Sequence, residues 1–204
     1  MPDDEGVALH LAARRAAGLG LGPLVEVGAY RGRSTLYILS GIAAAGRAAA
    51  RGRRRPLLYS VDHHRGSEEM QAGWPDHDPS LVDPEDGRMD SFPSWRKAVA
   101  SAGAEDAVVA VVGDSAAVAA DWSRPLSLAF LDGGHGRGTA WADYRGWSVQ
   151  VAPCGLLVVH DVFEDPAEGG RPPYECYLDA LAGGRFVEDV PASRGSLRVL
   201  RRRR

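Results

Sequence analysis

Short, wholly apolar runs alternate along this chain with longer stretches in which apolar residues recur at helical spacing. That alternation is the signature of strands and helices wound into a mostly parallel sheet. The runs predict strands at 24–28, 57–61, 107–112, 126–131 and 155–159. Helical spacing predicts helices at 5–18, 33–45, 92–102, 114–121, 138–150 and 173–183. Near the end, residues 185–190 and 196–200 flank a Pro-Ala-Ser-Arg-Gly turn, which predicts an antiparallel hairpin at the sheet edge. The expected class is therefore α/β, in one domain covering 1–204, with helices on both faces of the sheet.

The segment 63–93 breaks this rhythm. It holds His63, His64, Trp74 and His77 among prolines and acids and shows no apolar period. Loops of that length inside a compact domain are usually functional, and the segment is expected to be a lid over a ligand site.

Bulk properties narrow the partners. With 45% hydrophobic and 25% charged residues and a net charge of −3, the composition is that of an ordinary globular chain and argues against nucleic acid as the main partner. The arginine clusters at 51–55 and 201–204 lack interleaved aromatics; the first is expected in an exposed loop and the second to fray. Two cysteines, Cys154 and Cys176, build no disulfide framework, so a reduced, cytoplasmic setting is expected. No run is long enough to span a membrane, and the acidic start does not suit a signal peptide. A homo-oligomer is compatible with all of this.

The chemistry begins where the first strand ends. Leu24-Val25-Glu26-Val27-Gly28-Ala29-Tyr30-Arg31-Gly32-Arg33-Ser34-Thr35 runs from a strand through two glycines into a helix, whose first-turn N–H groups face the crevice. Its E-x-G-x-x-x-G-x-S spacing lacks the glycine pair of a dinucleotide fingerprint. A carboxylate at Glu26 would repel a pyrophosphate and suits a ligand bearing an ammonium group.

Ligands of open α/β sheets bind beyond the carboxyl ends of the strands, and chemistry-bearing residues stand there. Asp62 ends the second strand, Asp114 and Ser115 follow the third, Asp132 and His135 follow the fourth, and His160 and Asp161 end the fifth. Asp62 could accept both hydroxyls of a ribose, and Asp114 could equally cap the helix that starts beside it. The convergence of Asp132, His160 and Asp161, with open positions remaining, suits a divalent ion.

The opening run resembles motif I of the class I S-adenosylmethionine-dependent methyltransferases. Over about residues 20–165, the order E-x-G-x-x-x-G-x-S, V-D, G-D-S, L-D-G-G-H and G-L-L-V-V-H-D is similar to the small-molecule O-methyltransferases of the macrolide-sugar branch, which includes a cephalosporin-pathway homologue. The resemblance implies a Rossmann-like class I methyltransferase fold, a mostly parallel seven-stranded sheet with a C-terminal antiparallel hairpin. It implies S-adenosylmethionine at Glu26, Gly28, Tyr30, Gly32, Ser34, Asp62, Asp114, Ser115 and Asp132. It also implies Mg²⁺ or another divalent cation at Asp132 and Asp161, with His135 as general base and a small hydroxylated molecule as acceptor. An imidazole near its ordinary pKa of ~6.5 suits a base at physiological pH. This chain departs from the branch at His160, where those enzymes carry an acid and where magnesium prefers oxygen.

Three rival readings follow from the same residues. A catalytically inert cofactor-binding protein would tolerate loss of His135 and Asp132. An RNA methyltransferase would use the arginine clusters and bind in a salt-dependent way. A nicotinamide dehydrogenase is disfavoured by the glycine spacing.

Overall fold

In the computed structural model, residues 1–48, 55–74 and 77–204 are described. Among them, seven strands form one sheet: β1 (Leu24–Val27), β2 (Leu58–Asp62), β3 (Val108–Val112), β4 (Leu126–Leu131), β5 (Val151–Val159), β6 (Phe186–Glu188) and β7 (Arg198–Arg202). Their order is β3-β2-β1-β4-β5-β7-β6. The pairs among β1 to β5 are parallel, while β7 runs antiparallel to both β5 and β6. The expected mostly parallel sheet with a closing hairpin is thus present. The antiparallel strand differs from expectation in its place, since β7 is inserted between β5 and β6 and β6 forms the edge.

That insertion also corrects the expected fraying of the terminal arginines. Arg201 pairs with Leu156, Arg202 pairs with Phe186, and the Arg202 guanidinium bonds to the carbonyl oxygens of Val149 and Val151. The other cluster, at 51–55, lies outside the described residues except for Arg55. β5 begins earlier than its apolar run suggests, because the chain enters through Pro153 and Cys154, the latter with φ +68°.

Side chains alternate across a strand, so parity assigns each residue to a face. Leu24, Leu58, Leu128, Phe130, Leu156 and Val158 pack against α1 (Asp3–Leu19) and α2 (Arg33–Ala48). Val25, Val27, Ala129, Leu131, Leu157 and Val159 pack against α4 (Ser115–Asp121), α5 (Arg137–Ser148) and α6 (Arg171–Ala182). α3 (Phe92–Ser101) closes a smaller cluster of Ala29, Trp95 and Val99. Continuing the first parity to the carboxyl ends puts Glu26, Ser60, Asp132 and His160 on the α1/α2 face. Apolar packing therefore gives way to polar chemistry along one line. Among the described residues, no helix is long and apolar enough to cross a membrane.

Residues 63–91 leave the sheet as an excursion with short 3₁₀ turns at Glu68–Met70 and Pro79–Leu81. Its two ends are clamped together: Ser91 N donates to the His64 carbonyl at 3.0 Å, and His64 Nδ1 and Ser91 Oγ bond at 2.8 Å. Leu81 and Met89 anchor it in the interior, whereas Trp74 is 51% exposed and does not serve as its core.

Trp147, with no exposed surface, joins α5 to the sheet and donates its indole N–H to Ser115 Oγ at 3.0 Å. We expect Trp147→Ala to lower the unfolding free energy by about 3–5 kcal/mol, measured by urea denaturation.

Candidate active site

Gly28 sits at φ +84°, and a Cβ there would lie 2.1 Å from the Asp132 carbonyl oxygen. The turn after β1 and the turn after β4 therefore touch through backbone, which any side chain would prevent. Gly32, at φ +91°, faces Trp95 and Ala98, and its N–H closes the turn on the Ala29 carbonyl at 2.8 Å. Tyr30 between them is held at φ +46°, a conformation costly for a residue with a side chain.

Asp62 supplies the restraint on that turn. Its Oδ2 accepts from the N–H groups of Ala29 and Tyr30, both at 2.8 Å, and its Oδ1 accepts from His64 N at 2.7 Å. Glu26 was read from the sequence as facing the ligand. In the structure it is fully buried, and it accepts from Ser34 Oγ at 2.5 Å, Thr35 Oγ1 at 2.6 Å and Ser60 Oγ at 2.8 Å. It fastens the start of α2 to β1 and β2 from beneath the crevice. Burial pushes its carboxyl up to about 7, against the pull of the three hydroxyl donors.

On the other side of the crevice, Asp114 caps α4 by accepting from Ala117 N at 2.8 Å. Ser115 donates to Asp143 Oδ1 at 2.5 Å. Asp143 lies 4% exposed against Gly133, where a Cβ would approach its Oδ2 to 2.6 Å. Burial raises Asp143 to about 6.

Beyond β4 and β5 the polar groups converge. His135 Nε2 donates to Asp161 Oδ2 at 2.8 Å. His160 Nδ1 lies 2.9 Å from Asp132 Oδ1 and 3.1 Å from Asp161 Oδ2, and its Nε2 lies 2.8 Å from Glu5 Oε2. Ionised carboxylates only accept hydrogen bonds, so both ring nitrogens of His160 carry protons. Burial alone would lower its pKa, but the carboxylates of Asp132 and Asp161 reverse this and hold it at about 11. For Asp161, whose burial would raise it, the two imidazoles win and keep it well below the usual carboxylate range. Asp161 itself stands at φ +56°.

Glu5 was not anticipated. It comes from the first turn of α1, 3% exposed, and its second oxygen accepts from Ser196 N at 2.5 Å and Ser196 Oγ at 3.0 Å. One signal was present in the sequence, since Glu5 falls on the helical stripe of Leu9, Ala12, Ala13 and Ala16, where an acid needs a buried partner.

Asp132, His135 and Asp161 each offer a ligand atom within 4.8 Å of one another. His160, expected as a ligand, stands outside that set: with both nitrogens donating to carboxylates it has no lone pair to give. Its N–H also engages an oxygen of each carboxylate that would have to ligate, and two oxygens with one nitrogen are a poor donor set for magnesium. The residues present do not fit Mg²⁺.

A cleft lined by Leu131, Asp132, His135, Tyr144, His160 and Pro173 lies beside this cluster. Ser67 of the 63–91 excursion approaches it, since a Cβ on Gly134 would lie 3.6 Å from the Ser67 Cβ.

The sheet order, the glycine turn after β1 and the acids at the strand ends together define a class I methyltransferase. Residues 25–162 match the family described as methyltransferase domain, and the chain belongs to that family. Among solved structures, the O-methyltransferase NovP superposes with a TM-score of 0.69 at 16% identity, over 96% of this chain and 78% of that one. An O-methyltransferase from Bacillus cereus in complex with SAH gives 0.62 at 14% identity, over 100% and 82%. TomG from Streptomyces achromogenes, an O-methyltransferase of tomaymycin synthesis in complex with SAM, gives 0.61 at 14%, over 100% and 82%.

The raised Asp143 means that the fold binds its proton more tightly than the unfolded chain does. Its stabilising contribution is present below about pH 4 and is lost as the pH rises through about 6. Relative to Asp143→Asn, the wild type should lose about 3 kcal/mol across that window and no more above it, measured by urea denaturation at each pH.

Proposed function

We propose that this protein transfers the methyl group of S-adenosylmethionine to a hydroxyl of a small molecule, with His135 as general base. The observation that carries this reading is the contact of Gly28 with the Asp132 backbone. It puts the glycine turn typical of a methionine-end site one residue's width from the carboxylates that surround His135.

In this reading the turn at Gly28, Tyr30 and Gly32 and the first turn of α2 at Ser34 receive the amino-acid end of the cofactor. Glu26 acts through the hydroxyls it orients. Asp62 keeps acceptor capacity for the ribose, since each carboxylate oxygen has two lone pairs. Asp114 and Ser115 border the adenine, and Asp132 borders the cofactor from the β4 side. Family membership supports the cofactor, and the B. cereus and TomG structures hold SAH and SAM within the same fold. The excursion at 63–93 serves as a lid, supported by the approach of Ser67 to Gly134.

The sulfonium methyl is already activated, whereas an alcohol is a weak nucleophile at neutral pH. The protein therefore has two tasks: to align the acceptor oxygen behind the methyl, opposite sulfur, and to take its proton. As the O–C bond forms, the C–S bond breaks with its electron pair moving to sulfur. The hydroxyl proton passes to His135, and S-adenosylhomocysteine leaves as a neutral thioether. Asp161, 2.8 Å from His135 Nε2, fixes the ring and stabilises the imidazolium as it forms. The donors do not fit Mg²⁺, and no step is routed through that ion.

Two variants test the two halves separately. His135→Ala should bind S-adenosylhomocysteine with unchanged Kd in calorimetry and lose about 10²–10⁴-fold in kcat; unchanged turnover would remove it from the mechanism. Asp62→Ala should weaken S-adenosylhomocysteine by about tenfold or more, and an unaltered Kd would exclude the ribose assignment.

A further inference from the structure

The macrolide-sugar branch puts a cation among the acids that follow β4 and β5. Here that region is occupied from within. His160 Nδ1–H is shared between Asp132 Oδ1 and Asp161 Oδ2, at 2.9 and 3.1 Å, and so bridges the two aspartates. The ring cannot easily turn away. It is 6% exposed, it packs edge-on against Phe130, and its far nitrogen is tied to Glu5 at 2.8 Å. Glu5 is in turn fixed by Ser196, so releasing the ring would strand a buried carboxylate.

Glu5, Asp132 and Asp161 surround the one ring of His160. Its Nδ1–H occupies one oxygen of each aspartate, and Glu5 and Phe130 hold the ring in that place. The orienting of the two aspartates that a cation would contribute, His160 already supplies through its Nδ1–H. The Asp161 oxygen is then left to hold His135.

We propose that His160, clamped by Glu5, takes the place of the divalent cation, and that methyl transfer by this protein needs no metal. The catalytic half of this statement rests on the methyl-transfer reading; the metal-exclusion half does not. Asp161 becomes a positioning residue for His135, and Glu5 a positioning residue for His160.

The test is a titration of the chelator-treated full chain with Mn²⁺, read by the electron paramagnetic resonance of the free ion. The wild type should leave the free-ion signal undiminished at millimolar Mn²⁺, with and without S-adenosylhomocysteine. His160→Asp removes the internal cation and supplies a third oxygen donor, so it should quench the signal, with affinity raised by about tenfold or more. If circular dichroism shows that variant unfolded, His160→Asn, an uncharged replacement with an oxygen donor, is titrated instead with the same expectation. Stoichiometric quenching by the wild type would overturn the proposal, and so would turnover that a chelator abolishes and Mn²⁺ or Mg²⁺ restores. Failure of a folded His160 variant to bind Mn²⁺ would also overturn it, since something other than His160 would then exclude the ion. Absence of S-adenosylhomocysteine binding in calorimetry would sink the methyl-transfer reading instead, leaving the Mn²⁺ result to judge metal exclusion alone.

Discussion

A histidine ring enclosed by three carboxylates is the constraint on which the carboxyl-end cluster of this sheet depends. Through His160 it joins α1 by Glu5, β4 by Asp132 and the loop after β5 by Asp161, and through Glu5 it reaches Ser196 ahead of β7. A buried cation alone would be costly, and so would each acid; together they satisfy one another, and removing one partner leaves an uncompensated charge. The same network reaches His135, because Asp161 Oδ2 is shared by the His135 and His160 rings.

The glycine turn after β1 is built by a different device. There the carboxylates hold backbone and hydroxyl groups rather than a cation. Asp62 takes three N–H groups and thereby fixes Tyr30 in its unfavourable conformation, while Glu26 gathers three hydroxyls beneath the crevice floor. The two ends meet where Gly28 presses on the Asp132 backbone, so the glycine turn and the cluster beyond β4 and β5 are joined through backbone. Strain and buried charge are concentrated there, as expected where a site is preorganised for binding.

Much of this was legible in the chain. The apolar runs located the strands, and the run from Leu126 to Leu131 matched its strand end to end, because strands covered on both faces read as unbroken apolar segments. The order of strand-end motifs pointed to the fold and to a convergence of Asp132, His160 and Asp161, with His135 beside it. What stayed hidden depended on long-range contact. Glu5 and His160 are 155 positions apart, and no local period links them. The burial of Glu26 was not legible, because its strand position suggested the crevice, whereas its parity with Leu24 turns it toward α2. The terminal arginines looked frayed, since nothing local shows that β7 enters between two strands. A partial signal existed in the spacing Leu156-x-Val158-x-His160, which puts His160 on the buried face at which α1 packs.

The most direct measurement is the ¹⁵N spectrum of the His160 ring at neutral pH, assigned by comparison with a His160 variant. The account predicts that both ring nitrogens carry protons, and that adding Mg²⁺ leaves their signals unchanged. A neutral ring with one unprotonated nitrogen, or signals that move with the metal, would contradict it.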